Sequence, residues 1–220
     1  HLRECPANLK SAYQAWYRNL YDASIRYTDK LVGDLLALMR ATGIQEDTVI
    51  VITSDHGEHL FDHGLLGHGM SVYEPLAHVP LVVRVPGDTV RSVPQVVEQV
   101  DLAPTLLQVL GIAVDPAWQW DGGPLGGEEL AFCQQGPRES VRNTRYKLIV
   151  DRSTGTEILH DLDLDPGETT DFGPRQAAIR TALQEELHRW RSSLSTRFTP
   201  LRVTLDPDEI ERLRALGYVQ

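Results

Sequence analysis

Apolar residues recur at three- and four-residue steps through the opening segment: Tyr13, Trp16, Tyr17, Leu20, Ile25, Leu31, Leu35, Leu38 and Met39. That period predicts one long helix or two consecutive ones over residues 9–42, with Gly43 as the stop. The pattern then changes. Val49-Ile50-Val51-Ile52-Thr53 is a β-branched run and predicts a strand over 48–53. Its continuous apolar character suggests burial on both faces, as in a parallel sheet. Residues 54–78 lose periodicity, are rich in Gly and His, and read as a long loop of the kind that tends to be functional. A second apolar strand, Leu81 to Val85, follows His78-Val79-Pro80 and is closed by Pro86-Gly87-Asp88.

Beyond it, Val96 to Val100 reads as a short strand or an approach to one. Asp101 is placed as the N-cap of a helix with Pro104 in its first turn and Gly111 as its stop. Residues 113–127 are a Gly- and Pro-rich loop and the best candidate for a subdomain boundary. After it, Ser140–Arg142, Tyr146–Asp151 and Glu157–Asp161 predict short antiparallel strands, with Ser153-Thr154-Gly155 as a hairpin turn. Ile179, Leu183, Leu187, Trp190 and Leu194 mark an amphipathic helix over 175–194. Asp206-Pro207-Asp208-Glu209 starts a last short helix ending at Gly217, with acid in the first turn where the helix dipole favours it. The expected class is α/β: a core over 1–127, then a small subdomain of antiparallel strands and helices over 128–220.

Composition changes this picture little. Apolar residues make up 41% and charged residues 24% of the 220, ordinary for a globular chain. A net charge of -10 argues against a general nucleic-acid surface, which needs a basic face. No apolar run approaches a membrane span. The chain opens on His1 rather than Met, and its polar first residues are no signal peptide; the expectation is that an upstream portion is missing. The compartment is therefore not legible from the terminus. Cys5 and Cys133 do not make a disulfide framework, and a bridge between them is the lesser reading.

The candidate chemistry is concentrated after the first strand, in Ser54-Asp55-His56-Gly57-Glu58. Ligands in open α/β sheets sit at the carboxyl ends of strands. An acid and an imidazole side by side there, followed by a glycine that permits a tight turn, are suited to a divalent cation. His68 lies in Gly67-His68-Gly69, where backbone can approach a ligand closely and an imidazole can donate to an anionic or leaving oxygen. His59 and His63 are four apart, but Glu58 precedes rather than follows His59, so the zinc-protease pattern is not met. His78 belongs with the start of the second strand, and Glu58 and Asp62 are either supporting acids or solvated ones. Trp118 and Trp120, beside Asp121-Gly122, suit packing better than a sugar-binding rim.

An ordered set of segments carries a resemblance over nearly the whole chain. These are Tyr27-Thr-Asp29 to Leu36, Thr48 to Glu58, Asp62-His63-Gly64, Gly67-His68-Gly69, Tyr73-Glu74 through Val79-Pro80-Leu81, Val100-Asp101 to Leu107, Arg145-Tyr146-Lys147-Leu148, Asp165-Pro166-Gly167-Glu168, and Leu213 to Tyr218. Together they are similar to the C-terminal half of a sulfatase, in the alkaline-phosphatase superfamily. The resemblance implies cleavage of small-molecule or glycan sulfate esters, with phosphate or phosphonate esters for some relatives. It implies a divalent metal, most often Ca2+, with Mg2+ or Mn2+ as alternatives. Asp55 and His56 match two of its ligands, and His68 matches the residue that contacts the ester's anionic group or bridging oxygen. The family nucleophile is a formylglycine made in a Cys/Ser-x-Pro-x-Arg motif, and no such motif occurs in residues 1–220. The expected partner is therefore the missing N-terminal half, and the chain alone is expected to be inactive. A non-catalytic remnant of the fold is the alternative of another class. Bacterial relatives suggest the periplasm or the exterior, with the cytoplasm left open.

Overall fold

The helical period of the opening segment is realised as one helix, α1 (Ala7–Ala41), in the computed structural model, which describes residues 7–69, 71–89, 92–115, 120–126, 129–194 and 206–215. Gly43 ends it as predicted. At φ +77° it lets the Ile44 amide reach the Met39 carbonyl (3.1 Å) and its own amide reach Arg40 (3.1 Å). Gly111 closes the helix α3 (Leu102–Val109) by the same geometry. The apolar stripe of α1 is largely uncovered: Trp16, Leu20, Ile25, Leu31, Leu35 and Leu38 are all exposed.

The first strand, β1 (Ile50–Thr53), pairs antiparallel with β4 (Leu81–Arg84), Ile52 facing Val82. This corrects the expectation of a parallel strand buried on both faces. Among the described residues β1 has no second neighbour, so its residues are half-buried or exposed and Val82 opposite is 57% exposed. The segment 54–78 is also more structured than a loop. It carries a two-residue hairpin, β2 (His59–Leu60) with β3 (Leu66–Gly67), and one turn of helix, α2 (Glu74–Ala77).

Val96 to Val100 forms no strand; residues 99–101 make a 3-10 turn leading into α3. Asp101 stands at the N-cap position but its carboxylate does not cap α3. It accepts instead from the amides of Glu98 (2.9 Å) and Gly123 (3.0 Å), tying the Gly-rich loop to the helix start. Of the aromatic pair, Trp120 is half-buried, while Trp118, like Cys5, lies outside the described residues; Cys133 is a free thiol.

The predicted antiparallel strands form a four-stranded meander. It runs β5 (Ala131–Gln135), β6 (Arg138–Arg142), β7 (Tyr146–Asp151) and β8 (Thr156–Asp161), and β5 was not foreseen. Val141, Leu148, Ile149 and Leu159 of this sheet are buried, as are Leu183 and Leu187 of the helix α4 (Ala177–Leu194). Gln184 of α4 donates to Glu157 of β8. The chain divides into two compact units between Leu187 and His188; the boundary read at 127/128 falls inside the first, where the meander begins. In the second, α5 (Pro207–Ala215) starts on a reciprocal cap: Asp206 accepts from the Glu209 amide (2.9 Å) and Glu209 from the Asp206 amide (3.1 Å). Gly217 lies beyond the described residues. No helix among the described residues is long and apolar enough to cross a membrane.

Candidate active site

Where β1 ends, Ser54 to Gly57 turn sharply. The Ser54 hydroxyl donates to the His56 carbonyl (2.7 Å), and the Gln99 side chain donates to the Ser54 carbonyl. Asp55 Oδ1 accepts from the His56 amide (2.9 Å). That hydrogen bond, helped by the neighbouring imidazole, holds the Asp55 carboxyl below its usual range. His56 Nδ1 lies 2.9 Å from the Gly57 carbonyl. A carbonyl only accepts, so Nδ1 carries a proton, and in the neutral ring Nε2 keeps the lone pair. That Nε2 is 3.7 Å from Asp55 Oδ2, with the Asp55 side chain 72% and the His56 side chain 37% exposed.

Gly57 is held from behind. Its amide donates to the Leu76 carbonyl of α2 (2.9 Å), and a Cβ in its place would collide with the Pro75 carbonyl. Only glycine lets the two backbones come this close.

The β2–β3 hairpin pairs His59 with Gly67 and returns the chain so that His68 stands over His56, ring centroids 4.6 Å apart. His68 Nδ1 is 3.0 Å from Glu58 Oε2, and Tyr17 of α1 donates to the other Glu58 oxygen (3.4 Å). The carboxylate therefore accepts a hydrogen bond from Nδ1–H, leaving His68 Nε2 for another partner. Burial first, then the Glu58 charge, pushes the Tyr17 phenol above its usual range. The hairpin tip is backed by Phe61, edge-on to Tyr13 and Tyr17 at 6.0 and 5.9 Å. Phe61 and His63 adopt left-handed backbone (φ +77° and +55°), an uncommon conformation for non-glycine residues.

Asp55, His56 and His68 thus come together, with Glu58 beneath His68. His59 and His63 do not join them. His59 is buried, burial pushes its pKa down, and His63 stacks flat on Tyr73 at 3.8 Å. His78 pairs with Glu74 (3.2 Å), and Asp62 accepts from the Leu60 amide (3.0 Å). Two donors on one Ca2+, each about 2.3–2.6 Å from the ion, lie at most about 5 Å apart. The Asp55 and His56 donors meet that limit, and the tautomer fixed by Gly57 suits a ligand. They are two donors only: among the described residues no group of three or more His, Cys, Asp or Glu is placed to hold a metal.

The comparisons with known proteins bear on this same region. The sulfatase family model matches residues 4–112, which span β1, the Asp55–Gly57 turn, the hairpin and His68. The chain belongs to the sulfatase family. It is 28% identical to mouse (Mus musculus) arylsulfatase K over 193 residues, covering 77% of this chain and 35% of that protein. It is 29% identical to the choline-sulfatase of Rhizobium meliloti (strain 1021), covering 76% of this chain and 36% of the relative. The chain therefore spans about a third of the length of these curated sulfatases. The crystal structure of the phosphonate monoester hydrolase of Agrobacterium radiobacter superposes with a TM-score of 0.71 at 27% identity, over 86% of this chain and 45% of that one. The architecture is thus part of the alkaline-phosphatase-like fold of sulfatases.

Sequence reasoning missed the groups that support the turn: Gln99, and the cluster of Glu74, Arg142, Lys147 and Glu168. The Lys147 ammonium donates to Glu74 Oε1 (2.8 Å) and forms an ion pair with Glu168 Oε1 (2.9 Å), Arg142 pairs with Glu74, and the Glu74 amide donates to Glu168 Oε2 (2.6 Å). One signal was available. A lysine inside Tyr146-Lys147-Leu148-Ile149-Val150 breaks an apolar run, and a lysine is almost never fully buried unless paired.

Proposed function

We propose that this chain contributes part of the active site of a divalent-metal-dependent sulfatase, acting on sulfate esters. The observation that carries the reading is the convergence of Asp55, His56 and His68 at one exposed turn of a sulfatase-family segment. Asp55 Oδ and His56 Nε2 would hold the cation, Ca2+ for preference and Mg2+ or Mn2+ as alternatives. When bound, such a cation supplies positive charge that stabilises the oxygens of the ester as charge builds on them. His68, its ring oriented by Glu58, would in its doubly protonated form donate from Nε2 to the anionic group or hand that Nε2 proton to the leaving oxygen, returning to the neutral ring with Nδ1–H still on Glu58. The nucleophile, a formylglycine, and the remaining ligands would come from polypeptide outside this chain. That same polypeptide would cover the exposed stripe of α1.

The native polypeptide that carries this chain is expected to hydrolyse 4-nitrophenyl sulfate in a metal-dependent manner. Asp55→Asn and His56→Ala should each abolish metal-dependent turnover, and unchanged turnover in both overturns the reading. The isolated 220 residues should turn over nothing. A second reading, phosphonate or phosphate ester hydrolysis, is favoured by the likeness to the Agrobacterium phosphonate monoester hydrolase. Relative rates on 4-nitrophenyl sulfate and a phenylphosphonate monoester separate the two.

A further inference from the structure

We propose that Lys147, with Arg142 and Glu168, is a positioning group for the Asp55–His56 pair, acting at a distance through Glu74 and α2. The inference rests on the proposed function for what the pair binds, but the mechanical linkage stands on its own geometry.

The linkage runs through one turn of helix. α2 has four residues, too few to hold a helical conformation or a position by itself. Its place is set by what grips its two ends. At the N-terminal end, Glu74 is gripped three ways by the meander and the turn after it. Lys147 of β7 pairs with its carboxylate at 2.8 Å, Arg142 of β6 pairs with the other oxygen, and Glu168 accepts its amide at 2.6 Å. At the other end, the Pro75 and Leu76 carbonyls meet Gly57 so closely that no side chain fits there. The Gly57 carbonyl in turn holds the His56 ring through Nδ1. A shift of α2 therefore moves Gly57, and moving Gly57 turns His56 Nε2 away from Asp55.

Two features argue that the cluster does more than fill space. An apolar residue of similar volume fills a core at least as well as a buried ion pair, so the charges add geometry rather than bulk. The Lys147 side chain is 1% exposed, and the Glu168 side chain is fully buried. Glu168 also adopts a left-handed backbone (φ +52°), rare for a residue with a side chain and sustained where the surroundings over-determine it. The Asp165 carboxylate fixes that turn by accepting from the Thr169 and Thr170 amides (2.7 Å each), which aims Glu168 inward at Lys147 and the α2 amide.

The test uses the 220-residue chain and two readouts: hydrogen exchange of the Gly57 amide, and Mn2+ broadening of the His56 imidazole signals. Two variants perturb the linkage: Lys147→Met with Glu168→Gln, which removes the charges as a pair, and Glu74→Gln, which keeps an acceptor but loses the charge. Leu159→Ala, a buried site in the meander outside the cluster, controls for general loss of stability. Gly57 exchange is expected to accelerate at least tenfold, and Mn2+ affinity to fall at least tenfold, in the linkage variants but not in Leu159→Ala. Unchanged Gly57 exchange in both linkage variants, or equal acceleration in Leu159→Ala, overturns the proposal. If the unaltered chain, which carries only two of the proposed ligands, gives no Mn2+ broadening at His56, Gly57 exchange alone decides whether the linkage exists.

Discussion

Glu74 sits under two cationic groups, Lys147 and Arg142, and beside the His78 imidazole. Burial alone would push its carboxyl up; hydrogen bonds from His78 and Lys147 and the charge of Arg142 outweigh that and hold it well below the usual carboxylate range. Because the folded pKa is depressed, the group adds stability that is fully present above its unfolded value of 4.5 and is lost as pH falls below it. The urea midpoint should therefore drop between pH 5 and pH 3, and Glu74→Gln should flatten that drop. An equally steep acid loss in the variant would show that other carboxylates dominate. Lys147→Met alone leaves the Glu168 carboxylate buried and uncompensated and should cost about 3–5 kcal/mol, whereas pairing it with Glu168→Gln should restore most of the loss. At the proposed active site, His68→Ala in the native polypeptide should lower kcat by about 10²–10⁴-fold if the imidazole is the proton donor. A change in KM alone would leave it only a binding group.

Between single residues and the whole molecule, the Asp55–Gly57 turn and α2 behave as one piece. Gly57→Ala forces the two backbones apart and should destabilise the chain by about 1–3 kcal/mol, an overpacking cost. Gly69→Ala, which meets nothing within 4 Å, should stay within about 0.5 kcal/mol. Equal denaturant midpoints for the two variants would contradict the close packing at Gly57. The elements with strong period were legible: α1, α4 and strands β6 to β8 fall where spacing puts them, and Gly43 and Gly111 end their helices. The miniature hairpin β2–β3 and α2 were not. Two-residue strands and one-turn helices carry too few positions to show a period, and they exist because Phe61, Tyr73 and Glu74 find partners distant in sequence.

For the molecule as a whole, the feature with the largest physical consequence is the uncovered stripe of α1, with Leu38 60% exposed and Leu35 56% exposed. Contiguous apolar surface of this kind drives association in water. The 220-residue chain should self-associate in sedimentation, and Leu35→Lys with Leu38→Gln should shift it toward monomer without changing its helix content. A wild-type chain that stays monomeric at high concentration would mean the stripe is covered in solution by residues of its own.

Sequence by itself determined the family, the α/β class, the ends of the long helices and which side chains stand at the tip of β1, because motif order and periodicity are local properties of the chain. It placed Asp55 and His56 together simply by adjacency. Only the tertiary structure decided that β1 pairs antiparallel with β4, that His68 returns to lie over His56 with Glu58 beneath it, and that Lys147 and Glu168 close on Glu74. Those contacts join residues 10 to 94 positions apart. What selects them is burial and the need of each buried charge for a partner, and neither leaves a mark at fixed spacing along the chain.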